Sequence, residues 1–138
     1  MSSQDILMNC NLSFAEIKIG VSKIFCIAPS EVLVVEEISG EPIPNFVRIL
    51  CCVQELDGEF KQLVSVYMRD ELLSDLFTRE SLGKFCEDHN CMCLISDDSI
   101  NPLNPFSMVL IKGIGDYQIV YLSPELLDEG KYVLSMME

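Results

Sequence analysis

Two apolar runs separated by a tight-turn signal constrain this chain more than any other feature. The runs "FVRILCCVQEL" (46–56) and "FKQLVSVYM" (60–68) are rich in residues that favour strands, and they flank Asp57-Gly58. An Asp-Gly pair between two such runs is a strong signal for a β-hairpin. In the second run the apolar residues break strict alternation, which indicates either a bulge or a strand whose second face is partly buried. The chain should therefore contain an antiparallel sheet.

Helical periodicity follows a capping signal near the start of the chain. Ser13 and Glu16 have the spacing of a capping box, and apolar residues then recur at intervals of three and four. These features predict an amphipathic helix over roughly 14–26, in which Gly20 is a weak point. Ala28-Pro29 should end it, because the residue before a proline avoids helical geometry.

A second helical pattern runs through "RDELLSDLFTRESLGKFCEDHN" (69–90). Its apolar residues repeat at helical spacing, but Thr78 interrupts the pattern as a possible internal N-cap. The stretch predicts one interrupted helix or two short ones.

The remaining strand signals complete the fold prediction. They are "EVLVVEEI" (31–38), "CMCLIS" (91–96) and a last hairpin of "FSMVLIK" (106–112) and "YQIVYLS" (117–123), followed by a helix start at Ser123-Pro124-Glu125 and the ambiguous run "KYVLSMM" (131–137). The sum predicts an α+β domain. A mostly antiparallel sheet of about five to six strands should carry a central helix or helix pair, with the N-terminal helix packed on it.

Length and hydropathy limit the class of protein. The 138 residues match one domain, and 49% of them are apolar, so the chain can bury a core of its own. No apolar run approaches the roughly 20 residues of a membrane helix. The opening "MSSQDILMNC" lacks the basic start and long apolar stretch of a secretory signal. We therefore expect a single cytoplasmic domain over 1–138, with its seven cysteines reduced.

The acidic excess limits the class of partner. Twenty-two acids and nine bases give a formal net charge of −13. Direct nucleic-acid binding is disfavoured, because it depends on lysines and arginines that displace counterions from phosphates. A basic protein is attracted instead, and the same field accelerates its association. The alternative is that the charge serves solubility alone.

The stretch "FCEDHNCMC" (85–93) holds three of the seven cysteines and the only histidine. Cys86, His89, Cys91 and Cys93 are residue types that bind zinc. Structural zinc sites usually take two ligand pairs from separate parts of a chain, whereas these four residues come from one segment that changes from helix to strand. We therefore expect no metal and no cofactor, with the cysteines packing as small apolar side chains.

The same stretch places a thiol near a base. Cys86 and His89 have the types and spacing that nucleophilic catalysis needs. Cys86 nevertheless continues an apolar helical stripe, which predicts burial. The helix dipole and the flanking acids favour the charged form of His89, which predicts an exposed residue at the helix end. Nucleotide-binding, calcium-binding and hydrolase motifs are missing from the sequence, so we expect no catalytic residue.

In size, charge and α+β layout the chain resembles bacterial immunity proteins, the small acidic cytosolic domains that neutralise secreted toxin domains. The resemblance implies a non-catalytic inhibitor that covers the basic cleft of a toxin such as a nuclease. Acids on turns, beside an aromatic or aliphatic anchor, are the expected contacts. The candidate partner-binding residues are Glu55, Asp57, Glu59, Asp97, Asp98, Asp116 and Tyr117.

Two alternatives belong to other classes. A small enzyme or ligand-binding domain would use Cys86, His89 and neighbouring carboxylates. An adaptor subunit would dock through an exposed sheet edge. An enzyme that handles phosphates usually clusters its bases, and the nine bases here are scattered along the sequence. That scatter favours a binding domain.

Overall fold

In the residues that the structure describes, one mixed sheet carries two α-helices on one face. The computed structural model describes residues 2–37, 42–96 and 107–121. The strands are β1 (Ser2–Met8), β2 (Val32–Val35), β3 (Ile49–Glu55), β4 (Gln62–Met68), β5 (Cys93–Ser96), β6 (Ser107–Gly113) and β7 (Asp116–Tyr121). The helices are α1 (Phe14–Phe25) and α2 (Arg79–His89), with short 3-10 helices at Pro29–Glu31 and Glu71–Leu76. The predicted α+β fold is confirmed, and its sheet of seven strands is wider than expected.

The strands lie in the order β2-β3-β4-β1-β5-β6-β7. The predicted hairpin is confirmed, since β3 and β4 pair antiparallel from Ile49 opposite Met68 to Glu55 opposite Gln62. This register is continuous, so the broken alternation in β4 reflects a partly buried second face and no bulge. The last hairpin, β6 and β7, is also antiparallel. β2 runs parallel to β3, while the other described pairs are antiparallel.

The sequence did not predict β1, which lies at the middle of the sheet. It pairs antiparallel with the whole of β4 on one side, and Leu7 and Met8 pair with β5 on the other. Ile6 and Met8 face the helices, whereas Leu7 belongs to a smaller apolar cluster on the opposite face. This central position makes β1 the join between the two halves of the sheet.

Helix α1 begins and ends as its local sequence predicts. Ser13 Oγ accepts a hydrogen bond from the Glu16 backbone N–H (3.1 Å), and Glu16 Oε1 accepts one from the Ser13 N–H (3.0 Å). Cys26 ends the helix in the left-handed conformation with φ 55°. The face that carries Ile17, Val21 and the following apolar residues is buried against the sheet.

The second helical stretch divides in two, as predicted. Asp70 caps the 3-10 helix, and Thr78 caps α2 through its Oγ1, which accepts from the Ser81 N–H (3.1 Å). Helix α2 packs across β6 and against α1. Gly20 permits the approach of the two helices: a Cβ atom there would meet the Phe85 ring and lie 2.8 Å from His89 Nε2.

The main core lies between the helices and the sheet, and the smaller cluster lies on the other face. Gln62 is a buried polar residue at the edge of the main core: its Nε2 donates to the Leu12 carbonyl (3.0 Å) and its Oε1 accepts from the Leu12 N–H (3.1 Å). It thereby satisfies the backbone that links β1 to α1. Among the described residues, no helix has the length and hydropathy to span a bilayer. The predicted helix at 123–125 and the run 131–137 lie outside the described residues.

Candidate functional site

Exposed carboxylates gather where β2 and the β3–β4 hairpin reach the same end of the sheet. The β3–β4 hairpin presents three of the predicted residues, one at the end of β3 and two in the loop that follows, and all three are exposed. β2 runs parallel to β3, so the two residues that follow it, also exposed, leave the sheet at this end. The Cys52 thiol donates to the Glu36 carbonyl at 3.4 Å, which places that segment beside β3. We name this group the acidic corner: Glu36, Glu37, Glu55, Asp57 and Glu59.

Two arginines lie at the opposite end of β3 and β4. Arg48 reaches Glu31 at 3.7 Å and Asp70 at 3.3 Å. Arg69 donates to the carbonyls of Pro44 (3.0 Å) and Ile43 (3.2 Å). The ion pairs are partly exposed, so each contributes only about 0–1 kcal/mol. They place basic side chains beside the acids Glu31 and Asp70 at that end. The loop 56–61 in the acidic corner also contains a base, Lys61.

The remaining predicted contact residues lie away from the acidic corner. Asp116 is exposed at the start of β7, next to the β6–β7 turn. This turn lies at the same end of the sheet as the acidic corner, because Cys93 pairs with both Met8 and Ile111. Three or more strand spacings separate this turn from the β3–β4 hairpin, or roughly 15 Å. Tyr117 is half-buried and packs against the main core. Asp97 and Asp98 lie outside the described residues.

The predicted exposure of His89 is wrong. Its ring is half-buried against Phe85, with ring centroids 4.5 Å apart and planes tilted by 44°. The close approach of α1 at Gly20 produces this burial, and it is Asn90, in the left-handed conformation with φ 51°, that caps α2. His89 thus lies in the helix–helix contact.

Three of the four residues weighed as zinc ligands do come together. The Sγ atoms of Cys86, Cys91 and Cys93 all lie within 4.8 Å of one another, and all three residues are buried. His89 is not in this group. Cys86 projects from the last turn of α2, and its Sγ lies 3.4 Å from the Ile111 carbonyl of β6. The three thiols therefore occupy the junction of α2, β5 and β6.

A fourth cysteine, overlooked in the sequence, joins this group. Cys10 follows β1, and its thiol is near enough to that of Cys91 for the two to interact. It is half-buried and packs against the main core. We name the four residues the thiol cluster: Cys10, Cys86, Cys91 and Cys93. Cys10 and Cys91 are far apart in sequence, so no local motif could have shown their proximity.

The thiols of the cluster ionise unequally. Burial raises the pKa of Cys10 to about 12, and the neighbouring sulfur of Cys91 adds to the shift. The pKa of Cys86 is lowered, because the thiols of Cys91 and Cys93 donate hydrogen bonds to its sulfur. Those bonds to Cys86 raise the pKa of the two donors, that of Cys91 to about 11. The Ile111 carbonyl opposes ionisation of Cys86, since it accepts the proton of the neutral thiol.

A groove of about 810 Å³ lies where α1, α2 and the β6–β7 turn meet. Ile24, Phe85 and Ile114 supply apolar lining, and Lys23 and Lys84 also line it. Acids and bases mix around this groove, unlike the acidic corner, so its charge favours no particular sign of ligand.

Comparison with protein-family models, curated proteins and solved structures finds no match to this chain.

Proposed function

We propose that this chain is a non-catalytic binding domain whose acidic corner covers a basic site on another protein. The observation that carries the proposal is the convergence of five exposed carboxylates at one end of β2, β3 and β4. The loops that hold them leave adjacent strands, so a single partner surface can touch both. Carboxylates in such an array attract lysines and arginines, and they raise the rate of encounter with a basic partner.

The most specific form of this proposal is an immunity-type inhibitor. Toxin domains that cleave nucleic acids need basic clefts for phosphate, and an acidic surface is complementary to such a cleft. The net charge of −13 keeps the whole molecule attractive to a cationic surface at a distance. Leu56, half-buried between Glu55 and Asp57, provides an aliphatic side chain for close contact inside the ring of acids.

The test compares two triple variants that remove the same charge. Glu55→Gln/Asp57→Asn/Glu59→Gln neutralises the hairpin loop, while Glu71→Gln/Asp75→Asn/Glu80→Gln neutralises exposed acids at and near α2. Affinity capture from the native host, at several salt concentrations, identifies the partner. Stopped-flow mixing with the purified partner then measures the association rate.

We expect a one-to-one complex whose association slows with salt. The hairpin variant should associate about 10-fold more slowly than the parent protein, while the control variant changes the rate less than about 2-fold. Equal effects of the two variants, or an association rate that does not respond to salt, would contradict docking through the acidic corner.

A further inference from the structure

We propose that the thiol cluster is a structural site for zinc, with the sulfurs of Cys10, Cys86, Cys91 and Cys93 as its four ligands. This site is separate from the acidic corner and does not depend on the proposed function. Three features of the structure support a zinc site here: the pairing of β1 with β5, the position of α2, and the distances between the sulfur atoms.

The pairing of β1 with β5 brings two of the cysteines face to face. Met8 lies opposite Cys93, and the Asn9 N–H donates to the Met92 carbonyl (3.2 Å), which continues the register by one residue. Asn9 Oδ1 accepts from the Met92 N–H at 2.9 Å and holds the same pair from the other side. Continued by one more residue, this register would place Cys10 opposite Cys91. Because alternate residues share a face, Cys10, Cys91 and Cys93 all point toward the helix-covered side of the sheet.

Helix α2 adds the ligand from above the sheet. It ends at Asn90, whose left-handed conformation turns the chain so that the Cys91 N–H donates to the Cys86 carbonyl at 3.0 Å. This tight reversal holds Cys86 over the two cysteines that follow. Cys86 precedes the change from helix to strand, and Cys91 and Cys93 follow it. This placement is unusual for the ligands of a structural zinc site, but it brings the three sulfurs together.

The distances suit a tetrahedral ion. A zinc ion with bonds of about 2.3 Å to four sulfurs requires sulfur–sulfur separations of about 3.8 Å. The sulfurs of Cys86, Cys91 and Cys93 already lie within 4.8 Å of one another, so each pair needs to close by about 1 Å or less. Cys10 is outside this group of three, but its thiol interacts with that of Cys91, so its side chain would have to move toward the other two sulfurs to become the fourth ligand.

The surroundings support an ion at this position. Cys86 and Cys91 line a surface cleft together with Asn90 and Lys112, which gives an ion a route in from solvent. Four thiolates around Zn²⁺ carry a net charge of −2, and the cleft wall adds one base, Lys112, and one acid, Glu87. Each thiol that binds gives its proton to the buffer, so the affinity should fall as the pH is lowered.

The experiment uses the full chain, purified with a reductant and stripped of metal. Titration with zinc against a chromophoric chelator measures the stoichiometry and affinity. Titration with cobalt(II) reports geometry, because a tetrahedral thiolate site gives strong visible bands and a sulfur-to-metal charge-transfer band that grows with the number of thiolates. The test variants are Cys10→Ser and Cys86→Ser, and the matched control is Cys52→Ser, a half-buried thiol outside the cluster.

We expect about one zinc per chain and a tetrahedral cobalt spectrum. Cys86→Ser should weaken zinc binding by more than about 100-fold, since loss of a ligand exceeds the 10- to 100-fold effect of losing a supporting contact. Cys10→Ser alters a half-buried position that the fold tolerates, and it should cut the charge-transfer band by about one quarter. Cys52→Ser should leave both readouts unchanged.

Three results would overturn the site. The first is no zinc bound by the reduced, folded protein. The second is a Cys10→Ser variant with the affinity and spectrum of the parent protein. The third is a Cys10–Cys91 disulfide that forms in preference to metal binding when zinc is present.

Discussion

The substitution Gly83→Ala tests how α2 is seated on the sheet. Gly83 is buried, and a Cβ atom there would lie 2.7 Å from the Gly113 carbonyl oxygen and 2.9 Å from Ile114 Cα. These are backbone atoms of β6 and of the turn that follows it, so no rotamer change can make room. Helix α2 would have to retreat by about 0.7 Å or more to restore ordinary contact.

Two opposing terms set the size of the effect. Alanine favours a helix interior over glycine by about 1 kcal/mol. Overpacking costs about 1–3 kcal/mol, and the upper part of that range applies because the obstacle is backbone. We expect a net loss of about 1–2 kcal/mol, which corresponds to a urea midpoint lower by about 0.5–1 M.

The matched control is the same substitution in the other helix. At Gly20 the obstacles are the side chains of Phe85 and His89, which can yield. Phe85→Leu, introduced as a second change, should therefore recover part of the stability lost in Gly20→Ala and none of that lost in Gly83→Ala. The four variants are Gly20→Ala and Gly83→Ala, each with and without Phe85→Leu. Equilibrium urea unfolding of the metal-free protein, monitored by far-UV circular dichroism, measures the stability of each. A Gly83→Ala protein as stable as the parent would refute the close packing described for α2 and β6.

Two further predictions concern buried groups in the sheet. Gln62→Leu leaves the N–H and C=O of Leu12 without their partners and should lower the free energy of unfolding by about 2–3 kcal/mol; a loss under about 0.5 kcal/mol in chemical denaturation would show that water replaces the amide. Burial raises the pKa of the Cys51 thiol from 9.0 to about 12, so the folded state favours the neutral thiol. The stability from this group is complete below pH 9.0 and is lost as the pH rises toward 12. Between pH 9.0 and about 12, the Cys51→Val protein should thus lose less stability than the parent protein. Unfolding measured at a series of pH values tests this, and an equal loss of stability in the two proteins would contradict it.

Signals that act within a few residues were enough to predict most of the elements. The capping box of Ser13 and Glu16 fixed the start of α1, and Thr78 fixed the start of α2, because both are contacts across three residues. The Asp57-Gly58 turn likewise set the register of β3 and β4. Each of these structures depends on chemistry contained in its own segment.

Features that depend on distant pairing were missed. Half of β1 is polar, and its apolar residues gain their strand geometry from β4 and β5, which come much later in the chain. The acidic corner includes Glu36 and Glu37 only because β2 runs parallel to β3, a pairing that no turn signal specifies. The sequence likewise did not show that Cys10 lies near the other three thiols or that His89 lies apart from them. Contacts between separate elements set the positions of both residues.

The central place of β1 has a consequence for folding during synthesis. Met8 pairs with Gln62 and Cys93, so β1, which is synthesised before both partner strands, can pair with neither until those residues have left the ribosome. The β3–β4 and β6–β7 hairpins can close locally, but within the sheet they are connected only when β1 is inserted between β4 and β5. Contacts that span long stretches of chain form slowly. The nascent protein should therefore pass through a stage in which two separate hairpins expose their apolar faces, and a chaperone that shields such faces should raise the yield of folded protein.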